Sequence, residues 1–192
     1  MQIPQEWREV LSKVQEVFPT AVIAGGALRD LEYNRPVKDV DIFIPVQRPD
    51  GSMEEQEAFI ITQMQKLDMH IGAEAMLTPV FACPSNAPLY FKDMKLDLLK
   101  TGRWVENVQT ACIGDTQFEF IFAAPETLDI SLFDFSICQI SYDGITVRRT
   151  PAYLHTQHHG IILYNHDYRN PKRAADRIAR MKEKFPDMEL LV

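Results

Sequence analysis

Trp7, Val10, Leu11, Val14, Val17 and Phe18 recur at three- and four-residue intervals. That period is helical. It predicts a packing helix opening at Pro4 and ending at Pro19-Thr20. The apolar run Ala21–Ala24 predicts a strand, followed by Gly25-Gly26 and a short helix over Ala27–Glu32. Asn34-Arg35-Pro36 predicts a turn, because proline blocks helix propagation. Val40–Ile44 alternates and predicts a second strand, closed by Pro45.

Ser52, followed by Glu54 and Glu55, predicts a capped helix with Phe59, Ile60, Met64 and Leu67 on its apolar face. From His70 to Asp93 the pattern is broken by Pro79, Pro84 and Pro88, and only Met76–Ala82 reads as a strand. Met94–Leu99 and Phe118–Ala123 are further strand candidates, and Glu126–Ile130 a helical turn. Ile137–Tyr142 predicts a strand, and Asp143-Gly144 a hairpin into Ile145–Val147. A polar stretch carrying His155, His158, His159 and His166 precedes a last helix opened by Pro171. Its apolar face, Ala174, Ile178, Met181 and Phe185, runs beside a basic stripe, Arg173, Arg177, Arg180 and Lys184.

Composition narrows the class. The chain has 192 residues, 46% hydrophobic and 24% charged, enough for one large domain or a domain with a small appendage. No apolar run reaches membrane-spanning length. The opening residues MQIPQEWREV are polar and acidic, unlike a secretory signal. Cys83, Cys112 and Cys138 are odd in number and far apart, which suits reduced thiols and a cytoplasmic location. The net charge of −7 argues against a general nucleic-acid coating protein. Yet Tyr168–Lys184 holds seven Lys or Arg against two acids, so contact with a polyanion is expected there alone.

The candidate chemistry lies in Ala21–Val46. Gly25-Gly26 at a strand-to-helix turn lets a phosphate approach the backbone, with the first N–H groups of the helix facing the anion. On an alternating strand Asp39 and Asp41 project together, while Val40, Ile42 and Ile44 enter the core. Magnesium takes hard oxygen ligands and sits between one or two carboxylates and substrate phosphates. Either feature alone is close to background. Glu119 and Asp97 are strand-borne candidates for a third carboxylate, of which Glu119 is preferred. His155, His158 and His159 have no cysteine nearby and lack the spacing of a helical zinc pair, so no metal role is expected of them, and Trp104, which could stack on a base, is read as a core or surface tryptophan.

Taken together, Gly25-Gly26-Ala27-Leu28-Arg29-Asp30, a short spacer and Lys38-Asp39-Val40-Asp41 resemble the signature of the nucleotidyltransferase (polymerase-β-like) superfamily. The likeness is to the head domain of CCA-adding tRNA nucleotidyltransferases and bacterial poly(A) polymerases. It spans 26 of the 192 residues and fits without gaps. Asp134-Phe135-Ser136-Ile137-Cys138 and Asp143-Gly144 resemble a later motif of that family, with Leu132 and Phe133 where its arginines stand and Cys138 where its asparagine stands. Asn170-Pro171-Lys172-Arg173 loosely resembles the helix that follows the family's head domain.

The resemblance implies an α/β (α+β) nucleotidyltransferase fold, a mixed β-sheet flanked by helices. Residues 1–168 would form the domain and 169–192 a basic helix packed on it. It implies magnesium-dependent transfer of an NMP from an NTP to an acceptor hydroxyl, most simply on RNA or tRNA. Asp39 and Asp41 would hold a two-ion magnesium site, with Glu119 as the third catalytic acid. Gly25, Gly26, Arg29, Asp30, Asp134, Arg173 and Arg177 would bind the nucleotide. RNA would meet the basic C-terminal helix. The alternatives are transfer to a protein or small molecule, or a catalytically silent nucleotide- or protein-binding module on the same fold.

Overall fold

A computed structural model describes residues 1–47, 49–71, 76–79, 105–113, 115–165 and 171–192. The strand candidate at 94–99, and with it Asp97, Trp104, Cys83 and His166, lie outside the described residues. Of the candidate at 76–82, residues 76–79 are described and extended.

The amphipathic pattern at the start forms α1 (Gln5–Val17), which buries Trp7, Val10, Leu11 and Val14. β1 (Val22–Ala24) leads into α2 (Gly26–Glu32). Asn34, at φ +52°, lets the Arg35 N–H fold back onto the Asp30 carbonyl at 2.7 Å. A left-handed residue here ends the helix before Pro36 is reached. β2 (Val40–Pro45) follows, and then α3 (Met53–Ile71). Ser52 Oγ accepts from the Glu55 N–H at 3.3 Å, and the Glu55 carboxylate accepts from the Ser52 N–H at 2.7 Å. This reciprocal pair is a capping box.

Among the described residues, the main sheet has seven strands in the order β3-β4-β5-β2-β1-β6-β7. β3 is Met76–Pro79, β4 Val105–Ile113, β5 Thr116–Ala123, β6 Ile140–Tyr142 and β7 Val147–Arg149. β2 and β5 run parallel, and the other pairings are antiparallel. The sheet is therefore mixed and flanked by helices, as the sequence implies. Val40, Ile42 and Ile44 of β2 and Phe118, Phe120 and Phe122 of β5 form one core with Trp7, Leu11, Val14 and Leu67.

One expectation is corrected, and three further elements were not predicted. Ile137–Tyr142 is not one strand, because Ser136–Cys138 forms a 3-10 turn and only Ile140–Tyr142 is extended. Ser136 Oγ accepts from the Leu163 N–H at 2.8 Å and meets Thr156 Oγ1 at 2.6 Å. A serine bonded this way competes with a regular ladder. The histidine stretch is helical, α4 (Pro151–His159), with Thr150 capping the Tyr153 N–H at 3.1 Å. Two short strands, β8 (Ile161–Leu163) and β9 (Glu189–Leu191), pair in parallel around α5 (Pro171–Lys184).

A second apolar cluster joins Phe135, Ile137, Cys138, Ile162 and Tyr164 to Ala174 and Met181 of α5 and to Phe185 just after it. α2 is tied to β7 and α4 through Glu32, which accepts from Arg149 Nη2 at 2.7 Å and from the Tyr153 hydroxyl. No helix among the described residues is long and apolar enough to cross a membrane.

Ile42 is fully buried at the centre of the sheet, whereas Ile145 at the hairpin tip is 91% exposed. Ile42→Ala should lower unfolding free energy by about 2–5 kcal/mol. Ile145→Ala should change it by no more than about 0.5 kcal/mol. Urea midpoints measure both, and equal losses would contradict this core.

Candidate active site

β1 ends at Ala24, and the chain turns at Gly25. Gly25 has φ +84°, and its N–H donates to the Ile140 carbonyl of β6 at 2.9 Å. A Cβ there would lie 3.3 Å from the ring of Phe133. The backbone angle therefore requires glycine, and the space beside it is tight. α2 starts at Gly26, and its first helical bond runs from the Arg29 N–H to the Gly25 carbonyl at 3.1 Å.

The strand beside this turn carries the acids. Val40, Ile42 and Ile44 are buried, and Asp41 and Phe43 are half-buried on the opposite face. Asp39 immediately precedes the strand and meets the exposed Lys38 Nζ at 3.2 Å. The parallel register sets Asp41 opposite Glu119 of β5. The structure thus brings Asp39, Asp41 and Glu119 to one face of the sheet. Burial, then the neighbouring Glu119 and Asp39, pushes the Asp41 carboxyl up to about 8, while Arg177 and Arg29 pull the other way. Burial and Asp39 also raise Glu119, opposed by Lys38 and by Gln117, which donates to it at 3.2 Å.

No group of three or more His, Cys, Asp or Glu among the described residues is arranged around a metal position. Magnesium does not require such a cage, since one or two carboxylates plus substrate phosphates suffice. Hard oxygen donors crowded until they repel fit a dication, which would remove the repulsion. His155 and His159 lie one turn apart on the exposed face of α4, ring centroids 4.5 Å apart, well outside this site's residues.

Arg29, Asp30, Asp134 and Arg177 form a separate network. Arg29 is buried, and its Nε and Nη2 donate to the two Asp30 oxygens at 2.8 and 2.9 Å. Its Nη1 donates to Cys138 Sγ at 3.0 Å. Burial opposes the Arg29 charge, but Cys138 and Asp30 more than restore it, so the guanidinium stays protonated. Burial pushes the Cys138 thiol up. Lys184 of α5 donates to Asp30, and Arg177 donates to Asp134. The Phe185 ring receives the Arg29 and Arg35 guanidiniums at 5.6 and 5.1 Å.

Two members of the basic stripe therefore face inward, onto acids of the domain, and Arg180 is exposed. Arg173 lies on the same helix, but its side chain is outside the described ones. The contact of Cys138 with Arg29 and the position of Phe133 over Gly25 were not anticipated from the sequence. Their signal was there, in the positions at which the chain departs from the family motif.

With no bound cation, Asp41 holds its proton in the folded state at pH values where the unfolded chain has lost it. That stabilisation is complete below the ordinary carboxylate range and is lost as pH rises through about 8. The thermal midpoint in magnesium-free buffer should therefore fall more steeply between pH 5 and 8 for the wild type than for Asp41→Asn. The separation expected is about 2–4 °C for each ~1 kcal/mol. Parallel curves would show that the proton affinity of Asp41 is not raised by burial and its acidic neighbours.

No protein-family model matches the chain, and no curated protein matches it in sequence. Solved structures match its fold. A CCA-adding enzyme with ATP superposes with a TM-score of 0.63 at 13% identity, over 97% of this chain and 40% of its own. The Bacillus stearothermophilus CCA-adding enzyme in complex with CTP gives 0.57 at 14% identity, over 98% and 42%. A tRNA nucleotidyltransferase complexed with a primer tRNA and an incoming ATP analogue gives 0.52 at 17% identity, over 94% and 46%. The chain spans less than half the length of each of these. Its fold is that of the nucleotidyltransferase head domain which the Gly-Gly and Asp-x-Asp segments resemble.

Proposed function

We propose that the chain transfers a nucleotidyl group from a nucleoside triphosphate to an acceptor hydroxyl. The observation that carries this reading is the meeting of Asp39, Asp41 and Glu119 on one sheet face beside the Gly25–Gly26 turn. Asp39 and Asp41 would hold magnesium, which supplies charge neutralisation for the phosphates. The turn allows phosphate oxygens to approach the backbone. Arg29 and Arg177 already act on Asp41 electrostatically, so their field reaches the site. They would oppose the negative charge of the triphosphate.

Glu119, whose proton affinity is raised, is suited to take the proton of the attacking hydroxyl. The new bond joins that oxygen to the α-phosphorus, and the bond to the departing pyrophosphate breaks. Positioning and charge stabilisation supply most of such catalysis.

RNA, with tRNA first, is the proposed acceptor. Its support is the bound primer tRNA named for one structural neighbour and the cationic α5. One observation favours a second reading, a nucleotide-binding module that does not transfer. Arg29 is already held by Asp30 and Cys138, and Arg177 by Asp134.

Incubation with each α-labelled NTP and magnesium, with and without tRNA, decides between them. Labelled tRNA is the expected product. Asp39→Ala and Asp41→Ala should each reduce labelling on the order of 100-fold or more with circular dichroism unchanged. Full labelling by the double variant would overturn the assignment. Binding of NTP without any transfer supports the silent module, and labelled protein supports a protein acceptor.

A further inference from the structure

The face of β2 that carries Asp41 also carries Phe43, two residues on. In the parallel register Glu119 and Ile121 of β5 lie opposite these two. The acids therefore continue directly into an apolar strip. Phe133 lies over that strip, with its ring centroid 5.6 Å from that of Phe43 and the planes tilted by 40°. The same ring lies over the Gly25 turn, where a Cβ added to Gly25 would come within 3.3 Å of it. One aromatic side chain thus adjoins both the glycine turn and the residue next to the carboxylates. Both rings are half-buried and keep part of their surface open.

Phe133 is held firmly. Its N–H donates to the Ile130 carbonyl at 3.2 Å. The buried Gln139 amide donates to the Ser131 and Phe133 carbonyls at 2.9 and 3.3 Å. Thr150 Oγ1 donates to the Gln139 oxygen at 2.7 Å and fixes the amide's orientation. Such a ring costs little further entropy when a ligand packs on it.

We propose that Phe133, with Phe43, is the wall on which the base and ribose of the donor nucleotide pack. The inference rests on the nucleotidyl-transfer reading and adds a substrate class to it. Every base has a π-face, so a stacking wall accepts all four nucleotides. Neither phenylalanine has a hydrogen-bonding group with which to read a base edge. The site should grade donors by ring area, purine above pyrimidine, without strict choice of base.

The test is binding, by calorimetry with magnesium present, of ATP, GTP, CTP, UTP and inorganic tripolyphosphate. The wild type should bind ATP and GTP several-fold more tightly than CTP and UTP, and tripolyphosphate most weakly. Phe133→Ala should weaken ATP about 10-fold and leave tripolyphosphate unchanged. Phe133→Leu, which keeps apolar bulk against Gly25 but lacks the ring, should show the same split, and Phe133→Trp should retain ATP.

Unchanged ATP affinity in Phe133→Leu overturns the wall. So does an equal loss of ATP and tripolyphosphate, which marks a purely structural role. If the wild type binds tripolyphosphate as tightly as ATP, the wall fails and the triphosphate site stands. If it binds none of the five, the nucleotidyl-transfer reading fails as well.

Discussion

The parallel pairing of β2 with β5 is the constraint on which the site depends. Its register puts Asp41 opposite Glu119 on one face and sends Val40, Ile42, Ile44, Phe118, Phe120 and Phe122 into the core on the other. Alternation makes these two facts inseparable. A slip of one residue would bury the acids and expose the core. Hydrophobic burial on one side therefore holds like charges together on the other. Burial first, and then that repulsion, raise the proton affinities of Asp41 and Glu119. Such repulsion at a sheet surface is maintained by packing elsewhere and marks a place where a positive ligand binds favourably.

The acids of the motif region divide into two kinds. Asp30 receives Arg29 and Lys184, and Asp134 receives Arg177. Asp39 meets only the exposed Lys38 among the ion pairs of the described residues, and Asp41 and Glu119 have none there. The first kind is neutralised within the protein and locks α5 onto the domain. The second has no buried cation bonded to it among the described residues, and its proton affinities at Asp41 and Glu119 are raised, so ligand chemistry is open to it. This distinction is invisible in composition, since all five are carboxylates within or near the same two motifs.

Much of the scaffold was legible in the sequence because its patterns are local. α1 follows from one apolar stripe, α3 from a capping box and β2 from strict alternation. The acid cluster was legible by resemblance, including Glu119, which lies far along the chain from Asp41 but beside it in space. α4 was not legible from periodicity, because only Tyr153 and Thr156 of its nine residues are buried. Its end signals were present, Thr150 before Pro151 and Gly160 at φ +70°. β8 and β9 are three residues each, and their partners lie 28 positions apart, so no local pattern announces them. The inward turn of Arg177 and Lys184 was equally hidden. A basic stripe looks the same in sequence whether it faces water or buried acids.

The C-terminal helix is therefore part of the site's support. Lys184 reaches Asp30, and Phe185 takes the guanidiniums of Arg29 and Arg35 on its ring, with Tyr33 edge-on at 5.4 Å. Asp30 in turn clamps Arg29 through two nitrogens, and Cys138 takes the third. The orientation of Arg29 is thus inherited from residues more than a hundred positions away. A bidentate clamp fixes the guanidinium plane as well as its charge. The electrostatics around Arg29 and the packing of α5 are one property, since loosening the helix withdraws Lys184 from Asp30, the partner of Arg29. Arg177, Lys184 and Phe185 accordingly bear on the surroundings of Asp41, directly or through Arg29, without contributing a carboxylate.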